Sequence, residues 1–352
     1  MPDWSASMQH TYEYYIVDPG SWKDIRPLNN VRSCTINRDL SMETLGSASY
    51  TISESIGECY VRAYLITIQN GVREKIALGT HLIQSPSSSF DGMSDSNYAD
   101  AYTPLIELKE NQPPIGYSLF KGANILAMAS SLTMENVRAP VIPATTDKTL
   151  FDNFVATTDD TWLSFNKDLI SQAKYGYDLD EMGRVLFVPD QDIVSLQPIW
   201  TYTDDNSSIL YPDITVDRDL YAIPNVVEVV HSSSGTHYYA RAINDDENSP
   251  VSTKNRGRVI TRRVTDPDLI GDPTAERIQE YADRLLRELS SIECTISYKH
   301  GYCPVRLRDC VRLNYKRAGL TNIKAKVISQ SIACEPGCPV TETAVFTTKL
   351  WR

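Results

Sequence analysis

Apolar and polar residues alternate with a period of two along several short stretches between Thr11 and about Leu108, the spacing of a half-buried β-strand. The pattern predicts strands over residues 12–17, 31–37, 48–53 and 60–69, each rich in β-branched and aromatic side chains. Pro19-Gly20 marks a turn after the first. Asn70-Gly71 is the strongest hairpin signal in the chain and joins 60–69 to 72–83, because both residues tolerate the left-handed backbone of a two-residue turn. Residues 85–97, with Ser-Pro-Ser-Ser-Ser and a further Asp-Gly, predict a flexible polar loop.

Between Asn111 and Asp190 the apolar spacing lengthens to three and four. Ser118 is placed to cap a helix running through Leu119, Ile125, Leu126 and Met128, although Gly122 weakens it. Pro140 and Pro143 break the chain. A second helix starts at Asp160 or Thr161, carries Trp162, Leu163, Phe165, Leu169, Ile170 and Ala173, and stops at Gly176. A short hairpin follows, residues 177–179 and 184–188 around Asp180-Glu181-Met182-Gly183.

From about Ser195 strands return. Residues 226–231 and 236–242 flank Ser232-Ser233-Ser234-Gly235 as a hairpin. Residues 244–255 read as a polar, acidic loop, and 259–264 as a strand. Asp272 as cap and Pro273 at the first helical position open a helix over 272–289, with Ile278, Tyr281, Ala282, Leu285 and Leu289 along one face. Beside it, residues 303–313 and 323–332 predict an antiparallel hairpin turning at Ala318-Gly319. The pattern defines an α+β fold, mostly antiparallel β, in three regions: a β domain at 1–110, a small α+β insert at 111–194 and a second β domain at 195–352. No residue-level repeat links the first region to the last.

Composition narrows the class. The 352 residues suffice for two or three domains with cores of their own, and 41% hydrophobic with 22% charged residues is ordinary for a globular chain. Twenty Tyr against 7 Phe suits strands and contact surfaces where a ring keeps one wet edge. A net charge of −11 argues against broad electrostatic binding of nucleic acid. No apolar run approaches the ~20 residues of a membrane-spanning helix. Residues 1–10 lack the basic and apolar segments of a secretory signal, so the chain is expected to be made in a cytoplasm and kept or assembled there.

Motifs that carry chemistry are missing. There is no Walker loop, Rossmann glycine signature, His-Glu-x-x-His or Gly-x-Ser-x-Gly. His10, His81, His231, His237 and His300 are scattered, and His231 and His237 flank a turn where cross-strand neighbours or solvent account for them. Asp178/Asp180/Glu181 and Asp245/Asp246/Glu247 read as solvated turn acids, since neither has the Asp/Asn spacing and terminal Glu of a calcium loop. Cys34, Cys59 and Cys294 stand alone in strands as small apolar residues. Cys303, Cys310, Cys334 and Cys338 cluster near the end, but only Cys334/Cys338 has a zinc-knuckle spacing. A turn at Ala318-Gly319 sets Cys303 opposite Cys334, so packed thiols, or a bridge between those two, are expected before a metal or iron–sulfur site. Lys254-Asn255-Arg256-Gly257-Arg258 with Arg262-Arg263 is the one local basic patch, suited to an acidic neighbouring subunit. No catalytic, cofactor or metal residue is assigned.

Three stretches carry a family resemblance. They are residues 101–108 (Ala-Tyr-Thr-Pro-Leu-Ile-Glu-Leu) through 116–122; residues 169–189, with Tyr175-Gly176-Tyr177 and Gly183-Arg184-Val185-Leu186-Phe187; and residues 288–332, with Pro304-x-x-Leu307-x-Asp309-x-Val311 after a helix. Their order resembles the baseplate hub, or tail tip hub, family of tailed bacteriophages, proteins that close the distal end of the tail tube. The resemblance implies two tail-tube-like β-barrel or sandwich domains flanking the insert. It also implies a homotrimer whose six tube-like domains match the tail tube or distal tail protein above and a central spike or fibre below, with DNA passing through and possible contact with the tape measure protein in the lumen. It implies no enzyme activity, no cofactor and no stable membrane association, in a virion tail tip assembled in the bacterial host cytoplasm. The acidic balance fits a lumen that repels phosphate; that the acids line it is a hypothesis, which a trimer structure with a basic or neutral channel would remove. The cysteine cluster is outside what the family at large is expected to carry. Two alternatives are a virion-associated cell-wall hydrolase, with middle-region carboxylates as acid and base, and a distal tail or adaptor protein.

Overall fold

The computed structural model describes residues 2–53, 56–90, 95–233, 236–267 and 273–351. The chain forms two compact units, Met1–Ile214 with Tyr298–Ala344, and Thr215–Ser297 with Val345–Arg352. Its strands are mostly antiparallel, and an α+β segment lies between two β-rich stretches of chain.

In the first unit, the strands Gln9–Val17, Cys59–Gln69, Val72–Phe90, Asp95–Tyr102, Gly46–Ile52, Val31–Asp39 and Leu320–Ala333 pair antiparallel in that spatial order. Asp24–Pro27 adds to Gln9–Val17 and leaves the path open there. Leu320–Ala333 also takes Cys310–Tyr315, which pairs parallel with Pro198–Thr203. A strand from the last tenth of the chain thus joins the N-terminal strands in one sheet. Cys59–Gln69 is buried from Tyr60 to Thr67 because both its faces are covered. Val61, Ala63 and Leu65 enter one core with Ile36, Tyr50 and Ile332. Tyr60 enters the other with Val17, Trp22 and Leu82, and this second core continues without a break into the insert through Leu126, Phe165, Leu169 and Phe187.

Several expectations hold. Asn70 and Gly71 have φ of 51° and 78°, as the hairpin between Cys59–Gln69 and Val72–Phe90 requires. Thr161 caps Trp162–Gln172 through a reciprocal bond with Ser164. The strands Tyr175–Leu179 and Val185–Pro189 flank the 180–183 turn.

Others are corrected. Most of 85–97 is not loop: Val72–Phe90 and Asp95–Tyr102 pair out to Phe90↔Asp95, with Asp91-Gly92 outside the described residues. Ser88, Ser89 and Phe90 are exposed, so no buried face imposes the alternation that would have announced the strand. Ser118 caps no helix. It sits in a two-residue strand, and Asn124 caps Ile125–Asn136 by accepting from the Ala127 N–H at 3.0 Å. Gly122, at φ 85°, turns the chain between them. Trp162–Gln172 ends not at Gly176, which lies in the next strand, but at Ala173, followed by a left-handed Lys174.

Cys303 does not oppose Cys334. The ladder starts at Cys310↔Lys326, and the chain leaves it through a left-handed Arg308. No disulfide joins any of the seven cysteines.

In the second unit, Val226–Ser233 pairs antiparallel with Thr236–Ile243 and parallel with Thr261–Thr265, with Ser234-Gly235 outside the described residues. Thr274 caps Ala275–Leu289, accepting from the Arg277 N–H at 3.3 Å. Pro273 therefore precedes the helix, and Asp272 lies outside the described residues. Ile278, Ala282 and Leu286 bury against Val227, Val229, Ala240 and Ala242, while Tyr281, Leu285 and Leu289 flank them. The 244–255 loop is ordered around buried Asn244, Ser249 and Ser252 and includes the helical turn Thr253–Arg256. There the Thr253 N–H donates to the Asn244 carbonyl at 2.8 Å, and the Asn244 amide donates to Ser249 Oγ at 2.9 Å.

Because the insert shares a core with the sheet, Leu126→Ala is expected to destabilise both together by about 3 kcal/mol. Urea unfolding followed by fluorescence of single-tryptophan variants that keep only Trp22 or only Trp162 should show one coincident shift; a separate insert transition would contradict the shared core.

Candidate functional site

The polar residues of the first unit converge where the tip of the insert hairpin meets the sheet. The turn needs Gly183, at φ 75°, where an added Cβ would stand 2.7 Å from the Thr80 Cβ and 3.1 Å from the Trp22 ring. It carries the Met182 carbonyl to the Trp22 indole N–H at 2.7 Å and to Arg62 Nη2 at 3.1 Å. Arg62 is only 1% exposed, and it also donates to Thr80 Oγ1 at 2.8 Å and pairs with Asp24 at 2.8 Å. A buried guanidinium is tolerable when its donors are filled this way. Arg306 donates to the Leu179 carbonyl at 2.6 Å and pairs with Glu181 at 2.9 Å, while Arg308 donates to the Tyr177 carbonyl at 3.1 Å. Arg38 reaches Glu181 at 3.5 Å and donates to the Leu78 carbonyl at 2.7 Å.

Arg38, Thr80, Glu181 and Arg306, with His81 and Asp178, line a space of about 40 Å³, large enough for a water or two. Burial pushes the Asp178 carboxyl up, against the pull of Arg306. Burial likewise raises Asp309 to about 6, although it accepts from the Arg306 N–H at 2.7 Å. Burial and the Arg38 charge hold His81 neutral, with its pKa lowered to about 3. Asp178, Asp180 and Glu181 are therefore not solvated turn acids. Glu181 is shared between two arginines, and Asp180 pairs with Arg184 at 2.5 Å.

A second cluster adjoins the first through Gln330. Arg38 donates to its Oε1 at 3.2 Å, and its Nε2 donates to Glu342 at 2.6 Å. Glu342 and His300 are both wholly buried and pair at 3.5 Å. The Tyr298 hydroxyl donates to Glu342, and Tyr202 Oη lies 3.1 Å from His300 Nε2. His300 Nδ1 lies 2.7 Å from the Gly301 carbonyl, so both ring nitrogens have an acceptor within reach. Burial opposes the imidazolium, but hydrogen bonds with Cys303 and Glu342 and the Glu342 charge prevail and raise its pKa to about 10. This cluster was missed in the sequence, where His300 read as scattered. Its signal was the alternation Ile292, Cys294, Ile296, Tyr298, His300, which puts the histidine in series with buried residues.

The other predicted candidates lie elsewhere. His237 Nδ1 lies 2.8 Å from Ser232 Oγ, and His231 lies 3.5 Å from Asp266. Asp246 accepts from the Asn248 N–H at 2.8 Å, and Glu247 pairs with Lys254 at 3.2 Å. The basic patch is partly spent inside its own unit: Arg256 donates to the Leu220 and Ile223 carbonyls, and Arg263 pairs with Glu228 at 2.8 Å. Among the described residues no three His, Cys, Asp or Glu side chains are grouped to hold a metal.

The insert also carries an exposed apolar face. Phe120 is 74% and Phe151 88% exposed, with Val155 and Ile115 also open to solvent. The Gly122 N–H donates to the Leu150 carbonyl at 2.9 Å, which brings the two phenylalanines onto adjoining turns, and Lys121 covers the Phe151 ring at 5.3 Å.

Two outcomes test these clusters. Glu181→Gln removes the charge shared by Arg38 and Arg306 and is expected to cost about 1–2 kcal/mol in denaturant unfolding at pH 7. His300 has a folded pKa above its unfolded value, so its contribution is full below about pH 6.5 and is lost as pH rises towards 10. Wild-type stability should fall across that window by a few kcal/mol at most, whereas His300→Gln should start about 3 kcal/mol lower and lack that slope.

No protein family and no curated protein matches the sequence. Solved structures do match. The tail protein from Neisseria meningitidis MC58 aligns over 95% of this chain and 96% of its own at 13% identity and a TM-score of 0.59. The 43 kDa tail protein of prophage MuSo2 from Shewanella oneidensis aligns over 95% and 97% at 11% identity and a TM-score of 0.58. A chain of the Francisella PdpA–VgrG complex aligns over 97% of this chain and 58% of its own at 8% identity and a TM-score of 0.56. From end to end, the chain has the fold of phage tail proteins.

Proposed function

We propose that this chain is the baseplate or tail tip hub of a tailed bacteriophage, a non-enzymatic virion component. The observation that carries the reading is the likeness in fold to two tail proteins over at least 95% of every chain compared. The hub is a homotrimeric ring that closes the distal end of the tail tube and joins it to a central spike or fibre, with a channel for DNA. Its working regions are tube-like β domains at 1–110 and 195–352 and the insert at 111–194. The tail tube or distal tail protein sits above, and the tape measure protein reaches the lumen before DNA does. The arginine junction keeps the insert in register with the sheet, and the Phe120/Phe151 face supplies apolar contact area between chains. The net charge of −11 favours a lumen that does not retain DNA. The hydrolase alternative is disfavoured because Asp180 and Glu181 are committed to arginines and lack the free acid–base pair that glycoside hydrolysis needs.

Native mass spectrometry with negative-stain imaging tests the assembly. Expected are a trimer and threefold rings with a central channel; Phe120→Asp with Phe151→Asp should shift the mass towards monomer without lowering the thermal midpoint. A hexamer would replace the hub with a distal tail or adaptor protein. A monomer that stays monomeric alongside tail tube and spike proteins would overturn the reading.

A further inference from the structure

Cys34 and Cys334 come from opposite ends of the chain and meet across two antiparallel strands. The ladder between Val31–Asp39 and Leu320–Ala333 runs from Ser329↔Asp39 to Ala333↔Thr35. One step further sets Cys334 against Cys34, where the Cys334 N–H donates to the Cys34 carbonyl at 2.9 Å. Both side chains pack into the same core with Tyr14, Ile36 and Tyr50. Directly opposed residues at such a position have Cα atoms about 5.5 Å apart, within the roughly 4.4–6.8 Å that a disulfide spans. Cys34 is 3% exposed, whereas Cys334 is half-buried and so the more accessible of the two.

We propose that Cys34 and Cys334 form a thiol–disulfide switch that closes with a small-molecule disulfide such as oxidised glutathione, tying an N-terminal strand covalently to a C-terminal one. The Cys334 thiolate attacks one glutathione sulfur, the S–S bond breaks and a glutathione thiolate leaves. The Cys34 thiolate then attacks Cys334 Sγ and expels the second glutathione. Both cysteines are oxidised by one electron each, one glutathione disulfide is reduced to two thiols, and the two cysteine protons end on them. Order follows from access: burial raises the Cys34 thiol and keeps it unreactive until its partner is activated. Cys338 is a competitor for Cys334, but it is fully buried. The proposal does not depend on the hub reading, because it concerns only chemistry within one chain.

The test incubates reduced, folded protein with oxidised glutathione and maps its peptides without reduction. Expected are a Cys34–Cys334 crosslinked peptide lighter by two hydrogens, faster migration on a non-reducing denaturing gel, and a thermal midpoint higher by about 5 °C or more, since the bond closes a loop of most of the chain. A dithiol reductant should reverse all three. Cys334→Ser, at a half-buried position, should abolish them, as should alkylation of Cys334 in the folded wild type, and Cys338→Ser should retain them. A persistent glutathione adduct at Cys334, a Cys334–Cys338 bond, or no reaction would overturn the proposal.

Discussion

Arginine donors filling backbone carbonyls at the tip of the insert hairpin are the interaction on which the first unit depends. A turn of four residues has little apolar surface to bury, and its carbonyls would be costly to leave dry and unpaired. Arg62 fills that of Met182 in the turn, and Arg306 and Arg308 fill those of Leu179 and Tyr177 in the strand leading to it, while Glu181 offsets part of the positive charge brought in to do so. The exchange is local in space and distant in sequence, with partners 120 to 131 residues apart. It closes one end of a core that runs from Val17 and Tyr60 to Phe187.

The Glu342 cluster shows the same economy in a drier setting. A carboxylate and an imidazole at zero exposure are tolerable only because Tyr298, Gln330 and Tyr202 bring hydrogen bonds to them. Gln330 touches both Arg38 and Glu342, so the two polar systems share one residue. Its hydrogen bonds link residues on separate strands, Tyr202, Tyr298, Gln330 and Glu342, and so hold those strands together.

How much of this was legible follows from which residues interact at short range. The Asn70-Gly71 turn, the Thr161 cap and the Ile278/Ala282 stripe were read correctly because their physics spans a few residues. The helix start at Ile125 was misplaced because Ser118 and Asn124 are both good caps and only Gly122 decides between them. The strand through residues 87–90 was invisible because those side chains are all exposed and carry no buried alternation. Of the site, Asp178, Asp180 and Glu181 were noticed as acids, and Asp180 has its arginine four residues on, but Arg38 and Arg306, which share Glu181, lie more than a hundred residues away and no local pattern pairs them. His300 and Glu342 were overlooked for a related reason: a charged residue in a strand ordinarily marks the solvent side.

The strand Leu320–Ala333 that joins the N-terminal strands has a further meaning for a ribosome-bound chain. Ser331 bonds Asn37 across 294 residues, so the open edge of Val31–Asp39 must wait while those residues are synthesised before its partner exists. An unpaired edge invites a second chain, and contacts this remote in sequence form slowly. In the crowded interval before that strand emerges, nascent copies lie close together with the same edge exposed, and the order in which the chain is made becomes a hazard that the finished fold no longer shows.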